Sequence, residues 1–217
     1  MKLVNLGENH SLLNSYIAGI RDKVVQKDRM RFRTNLHRIG EIFAYEISKA
    51  LDYSTKDVRT PLGTAAVDTF DNKVVIASIL RAGLPLHEGM LSFFENADNA
   101  FLAAYRKYDA ADKFHINTEY CTSPELSGKT LILADTLVAT GSSIMLAYER
   151  LVEDGGEPDY THIVCPIVSA DAVVALKKAL PSKATLWTAG IDEELTSHCF
   201  VVPGLGDAGD LAFGEKV

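Results

Sequence analysis

Two periodicities run along the chain. From about His10 to Ile20, Leu13, Tyr16, Ile17 and Ile20 recur at helical spacing, which predicts an amphipathic helix with Asn9 or Ser11 as its cap. A second helix is predicted from about Asn35 to Leu51, where Ile39, Phe43, Ile47 and Leu51 share a face and no Gly or Pro follows Gly40. Thr60-Pro61-Leu62-Gly63 reads as a turn.

The pattern then changes to short apolar runs of the kind found in strands buried on both faces. They are Lys73–Ile79, Phe101–Tyr105, Thr130–Ala134, His162–Val168 and Ala184–Trp187. Helical stretches at about 85–95, 142–154 and 170–180 separate them, as crossover units feeding a parallel sheet would. Residues 107–126 are polar and predict a projecting hairpin or lid. The tail Pro203–Asp210 holds too much glycine for a helix or strand. Such a backbone can approach a ligand closely, although a surface turn would use the same residues.

Composition narrows the class. The 217 residues are 47% hydrophobic and 24% charged, which fits one folded domain over residues 1–217 and excludes a disordered chain. With 22 basic and 29 acidic side chains the net charge is −7. That is the wrong sign for coating nucleic acid, so an anionic ligand must meet a local cluster. No apolar run is long enough for a membrane helix and the N-terminus lacks a signal-peptide core, so a cytosolic location is expected. Cys121, Cys165 and Cys199 have neither disulfide-framework nor zinc-site spacing, and the six histidines have no paired helical spacing.

The segment richest in chemistry is Leu131–Ile144, a strand, a short loop and a helix start. A loop leaving a parallel strand and opening a helix offers free backbone N–H groups and the positive end of the helix dipole, an anion cradle. Thr140, Ser142 and Ser143 add hydroxyls, and Asp135 is placed to accept from a ligand's hydroxyl groups. A plainer reading makes Asp135 a turn residue and Thr140 or Ser142 a helix cap. The loop lacks the Gly-Lys-Ser/Thr of a Walker motif.

A phosphate loop with an acidic residue at the strand end resembles the signature of the type I phosphoribosyltransferases. Ile79-Leu80-Arg81-Ala82-Gly83-Leu84, Tyr105-Arg106, Asp135 through Ser143, and Val202 through Asp210 resemble, in order and spacing, the motifs of the uracil phosphoribosyltransferase family. The resemblance implies an α/β fold, a parallel-sheet core flanked by helices, with a hood from the N- and C-terminal segments and a projecting β-arm or lid. It implies that Asp135, Thr136, Leu137, Val138, Ala139, Thr140, Gly141, Ser142 and Ser143 hold the phosphate and ribose of phosphoribosyl diphosphate (PRPP). Arg81 and Arg106 would hold the diphosphate. Val201, Gly206, Asp207 and Ala208 would read uracil largely through the backbone, with Asp207 also facing PRPP. Arg106, Asp135 and Asp207 are the implied catalytic residues. Magnesium would arrive with PRPP and water rather than on direct protein ligands, and a homo-oligomer, dimeric or larger, is implied. A surface ion pair is the plainer reading of either arginine.

The chain departs from the family pattern at several places. Thr136 stands for proline, Leu137 and Val138 for methionine and leucine, Ser142 for a second glycine, and Pro85 for glycine. Cys199-Phe200 replaces Gly-Tyr, and Lys107-Tyr108-Asp109 lacks the usual acidic pair. The expected reaction joins uracil to the phosphoribosyl group of PRPP, giving UMP and diphosphate. The alternatives are transfer to another nucleobase and a non-catalytic nucleotide sensor.

Overall fold

The computed structural model describes the backbone of residues 1–108 and 114–216, and the side chains of residues 1–103 and 120–216. In chain order the elements are β1 (Lys2–Asn5), α1 (Leu12–Arg21), α2 (Arg29–Ser48), β2 (Tyr53–Thr60), β3 (Gly63–Phe70), β4 (Val74–Leu80), α3 (Gly83–Leu91) and β5 (Asp98–Tyr108). There follow β6 (Phe114–Thr122), β7 (Thr130–Ala134), β8 (Leu137–Val138), α4 (Ser142–Gly155), β9 (Tyr160–Val164), β10 (Ile167–Ser169) and α5 (Ala170–Ala179). The last are β11 (Ala184–Thr188), β12 (Gly190–Asp192), β13 (Glu194–Leu195), β14 (Val201–Val202) and α6 (Ala208–Phe213).

The central sheet has the order β1-β11-β9-β7-β4-β5-β6 and is parallel except for the β5–β6 pair. Alternation along each strand splits its apolar residues between two cores. Val74 and Ile76 of β4, with Ile132 and Ala134 of β7, face a cluster built from Leu13, Ile17 and Ile20 of α1 and Leu36, Ile39 and Phe43 of α2. Val75 and Ala77, with Leu131 and Leu133, face the other cluster, which includes Ile144, Ala147 and Leu151 of α4 and Leu176 of α5. The two-sided parallel core is therefore the one the apolar runs predict; of the segment 107–126 expected to form a hairpin or lid, β5 and β6 pair antiparallel, and residues 109–113 lie outside the described residues.

Several boundaries differ for physical reasons. Helix α2 begins at Arg29 rather than near Asn35, because the Asp28 carboxylate accepts the Arg31 N–H at 3.0 Å and caps it. The run His162–Val168 is two strands. Pro166, which has no N–H, falls between β9 and β10, and β10 joins β8 and β12 in a separate three-stranded sheet. The predicted turn at Thr60–Gly63 joins β2 to β3, a hairpin exposed along nearly its whole length. The tail expected to be neither helix nor strand enters α6 at Ala208, where the Asp207 carboxylate accepts the Asp210 N–H at 3.0 Å.

Candidate functional site

At the C-terminal end of β7 the chain leaves the sheet at Asp135 and enters the loop that opens α4. The Asp135 N–H donates to Val164 O at 3.0 Å, tying the turn to β9. Thr136 is buried and its hydroxyl donates to Ala82 O at 2.9 Å, joining this loop to the one that follows β4. Buried Ser169 does two jobs: its hydroxyl donates to Ala139 O, and its oxygen accepts the Ala172 N–H at 2.9 Å as the cap of α5. Residues 136–139 are thus fixed from two sides.

Gly141 then turns the chain into α4 with φ +82°, the left-handed region that favours glycine. A Cβ there would also meet the Leu176 side chain at 3.2 Å. No side chain caps α4, and no acidic residue sits in its first turn. The first helical bond is that of Met145 N–H to Gly141 O at 3.0 Å, so the N–H groups of Ser142, Ser143 and Ile144 precede the ladder. Thr140 lies 2.9 Å from the Ser142 hydroxyl, and its oxygen reaches the Ser142 N–H only at 3.4 Å. The plainer reading of Thr140 or Ser142 as the helix cap is therefore replaced by an uncapped, electropositive helix end.

Asp135 is half-buried beside this end. Burial pushes its carboxyl up to about 7, although the Thr136 and Leu137 N–H groups work in the opposite direction. The Thr136 N–H bond is 2.7 Å. Below it, burial and the nearby Asp135 charge raise the Cys165 thiol well above its usual range, and the thiol donates to Ile167 O at 2.8 Å. It is a protonated packing group rather than a nucleophile.

Arg81 follows β4 and lies beside the Asp135 loop. Its guanidinium donates to Asp210 at 2.7 Å and to Gly214 O at 3.1 Å, which brings α6 over the same sheet end. Burial works against ionisation of Asp207, but Lys216 at 2.7 Å and the Asp210 and Gly209 N–H groups hold its carboxyl below the ordinary range. Val201 is buried in β14, which pairs with β13. Gly204 and Gly206 have φ of +56° and +94°, so the tail turns through conformations that favour glycine, leaving Gly206 and Asp207 exposed and Ala208 buried. Ala134, Ala139, Val201, Leu205 and Ala208 share one apolar cluster, with Leu137 and Ala82 against it.

The Asp135–Ser143 loop, Arg81 and the Val201–Ala208 tail therefore converge, at the sheet end where open α/β folds gather ligands. Arg106 lies in β5, three residues beyond Ala103, the partner of Leu80. Its side chain is outside the described residues. The plainer reading of Arg81 as a surface ion pair holds in this structure, with Asp210 as its partner; sequence reasoning singled out neither Asp210 nor Lys216 for such a role. A cavity of about 260 Å³ lined by Asp52, Asp71, Lys73 and Lys129 lies at the opposite, N-terminal end of β4 and β7, away from these groups.

Among the described residues, no group of three or more His, Cys, Asp or Glu side chains is arranged to hold a metal ion. The half-buried Asp135 carboxylate is a hard oxygen group that suits magnesium carried by a diphosphate and water. Nor is any described helix long and apolar enough to cross a membrane.

The profile of the family described as "Uracil phosphoribosyltransferase" matches residues 7–215. A uracil phosphoribosyltransferase of Porphyromonas gingivalis is 48% identical over 217 residues, covering 100% of both chains. One from Methanothermobacter thermautotrophicus is 38% identical over 190 residues, 87% of this chain and 86% of that one. The solved structure of the AQ2163 protein from Aquifex aeolicus superposes with a TM-score of 0.86 at 27% identity, covering 99% of each chain.

Proposed function

The chain belongs to the uracil phosphoribosyltransferase family, and from that premise we propose how its own residues divide the work of the family's reaction. It transfers the phosphoribosyl group of PRPP to uracil, giving UMP and diphosphate. The observation that carries the proposal is the convergence of an uncapped helix end, a strand-end carboxylate and a glycine-bent tail at one end of the sheet.

The N–H groups of Ser142, Ser143 and Ile144 bind the 5-phosphate, with the hydroxyls of Thr140 and Ser142 as further donors. Asp135, once ionised, accepts from the ribose hydroxyls and so fixes the sugar. As the bond to diphosphate stretches, negative charge collects on the leaving group, and donors aimed there stabilise that state more than the ground state. Arg81 and Arg106 fill this role. For Arg81 this means trading Asp210 for the diphosphate. Magnesium brought by PRPP and held through water near Asp135 would supply further neutralisation of diphosphate charge. The backbone of Val201, Gly206, Asp207 and Ala208 holds uracil with its ring nitrogen towards the sugar, and Asp207 also faces PRPP. No covalent nucleophile is needed.

The name shared by the relatives favours uracil over another base, and turnover over sensing. We further place this single domain in pyrimidine salvage in the cytoplasm. We also infer a homo-oligomer, because the β2–β3 hairpin exposes Val58, Val67 and Leu62 with little of its own chain to cover them. The deciding experiment mixes purified protein, PRPP and magnesium with each nucleobase and follows diphosphate release. UMP formation with uracil alone is expected. Faster release with a purine, or release with none, would overturn the reading.

A further inference from the structure

Arg21, Asp192 and Gly204 form a closed hydrogen-bonded triangle. The Arg21 guanidinium makes a bidentate pair with Asp192, both bonds at 2.8 Å, and the nitrogen facing Oδ2 also donates to Gly204 O at 2.9 Å. The Gly204 N–H returns to Asp192 Oδ2 at 2.9 Å. Both backbone groups of one tail residue are thus held by one ion pair, whose carboxylate is only 6% exposed. The next carbonyl is held as well: oriented to satisfy its neighbours, the Gln26 amide donates to Leu205 O at 2.9 Å and to Ile20 O at 2.8 Å. Gly190 leaves the space for the guanidinium, since a Cβ there would lie 2.7 Å from the Arg21 Nη2.

These contacts sit where the tail most needs them. Gly204 and Gly206 both have positive φ, and glycine carries the largest conformational entropy to be lost on ordering. A backbone that recognises a base must have its dipoles aimed beforehand, because ordering them on binding would subtract from affinity. We infer that Arg21 and Asp192 are positioning residues for base recognition: they pre-set the Gly204 peptide so that Gly206 to Ala208 present fixed N–H and C=O groups to uracil. The inference rests on the proposed reading of uracil by this tail. Arg21 ends α1 and Asp192 ends β12, so the clamp comes from elements that supply no residue of the PRPP cradle, β12 meeting the cradle's β8 only through the intervening strand β10.

The test uses Arg21→Lys and Asp192→Asn in the full chain, each with steady-state kinetics for both substrates, PRPP titration and a thermal melt. Lysine keeps the charge at the helix C-terminus but cannot bridge Asp192 and Gly204 O with a rigid fork. Asparagine keeps one acceptor for the Gly204 N–H. The KM for uracil should rise about tenfold in either variant, the scale of one charge-assisted hydrogen bond. The PRPP dissociation constant, and kcat at saturating uracil, should stay within about twofold. An unchanged uracil KM in both variants, or equal losses for both substrates, would overturn the assignment. If one variant fails to fold, the other carries the same readout.

Ala208→Pro separates this inference from the tail reading itself. Ala208 is the first residue of α6, where proline is tolerated, and Asp207 before it is already extended with ψ 103°. The substitution removes the N–H assigned to uracil, and the thermal melt shows whether its ring disturbs the packing of this 8% exposed position. If Ala208→Pro weakens uracil while Arg21→Lys and Asp192→Asn do not, the positioning role fails and the tail reading stands. If Ala208→Pro has no effect on uracil KM, the tail reading fails.

Discussion

Arg81 and Asp210 form a 2.7 Å ion pair across 129 positions of sequence, and the same guanidinium holds Gly214 O at 3.1 Å. The pair couples the loop after β4 to the last helix and keeps the arginine extended over the sheet end. A diphosphate arriving there competes with Asp210 for a planar donor fork that is already in place.

Arg81→Lys should therefore lower kcat/KM for PRPP by roughly 10- to 100-fold, because a point charge cannot reproduce bidentate recognition of phosphate. Stability should change by no more than about 1 kcal/mol, since the pair is solvent-screened, with Arg81 40% exposed. Initial-rate kinetics with a parallel denaturation curve checks both. Parent-like kcat/KM would remove Arg81 from the diphosphate site.

Gly141→Val tests the cradle. The φ of +82° costs a residue with a Cβ about 1–2 kcal/mol, and Leu176 stands 3.2 Å from the new atom. The helix start should shift, misaligning the Ser142–Ile144 N–H groups. PRPP affinity should fall at least about tenfold while the two-sided core keeps the fold. A PRPP titration equal to the parent's would place the phosphate elsewhere.

How much of this was legible in the chain depends on what holds each piece. The Asp135–Ser143 loop was readable because strand, turn glycine and helix are contiguous, so local rules suffice. Strands β4 and β7 were equally readable, being buried on both faces. Helix α2 was entered late because Arg29, Met30 and Arg31 are exposed and show no apolar stripe; only the Asp28 cap marks the start. The β2–β3 hairpin lacks a buried face, so it left no alternation beyond its turn. The Arg21–Asp192 clamp spans 171 positions and exists only in the folded chain.

Asp135 predicts a pH dependence with a definite sign. Its carboxyl lies at about 7 in the folded protein against an ordinary 3.8, chiefly through burial. Its contribution to stability is complete below 3.8 and is lost as pH rises through about 7, because the folded state favours the protonated form. PRPP, whose ribose hydroxyls need an acceptor, should bind more tightly over that same rise. Asp135→Asn should flatten the stability slope and weaken PRPP binding at pH 8, leaving only the dependence that belongs to the ligand's own phosphates. Parallel titrations of parent and variant from pH 5 to 8.5 give the comparison. Identical pH profiles would mean that Asp135 does not change protonation on binding.

Base choice follows from a tail that presents main-chain rather than side-chain groups. Uracil offers an acceptor, a donor and an acceptor along one edge. Cytosine replaces one carbonyl by an amino group and loses the adjacent ring proton, so fixed N–H and C=O partners would face the wrong groups. An amide side chain could flip to suit; a peptide held between the positive-φ residues Gly204 and Gly206 cannot. Partners of this kind, left unpaired once a bound base covers them, give discrimination on the order of 10⁴, well beyond what pocket size achieves. Cys199 and Phe200 lie in the β13–β14 connection, where the Cys199 N–H donates to Thr196 O at 2.9 Å and Phe200 is 53% exposed. They should adjust affinity without choosing the base. Gly206→Ala isolates the backbone contribution: the new methyl has room, with Leu211 at 3.9 Å, but φ of +94° is strained for alanine. It should raise the uracil KM and reduce the preference over cytosine while PRPP affinity holds. Competition between labelled uracil and cytosine, in parent and variant, measures both quantities. Similar catalytic efficiencies for the two bases in the parent would remove backbone readout as the source of specificity.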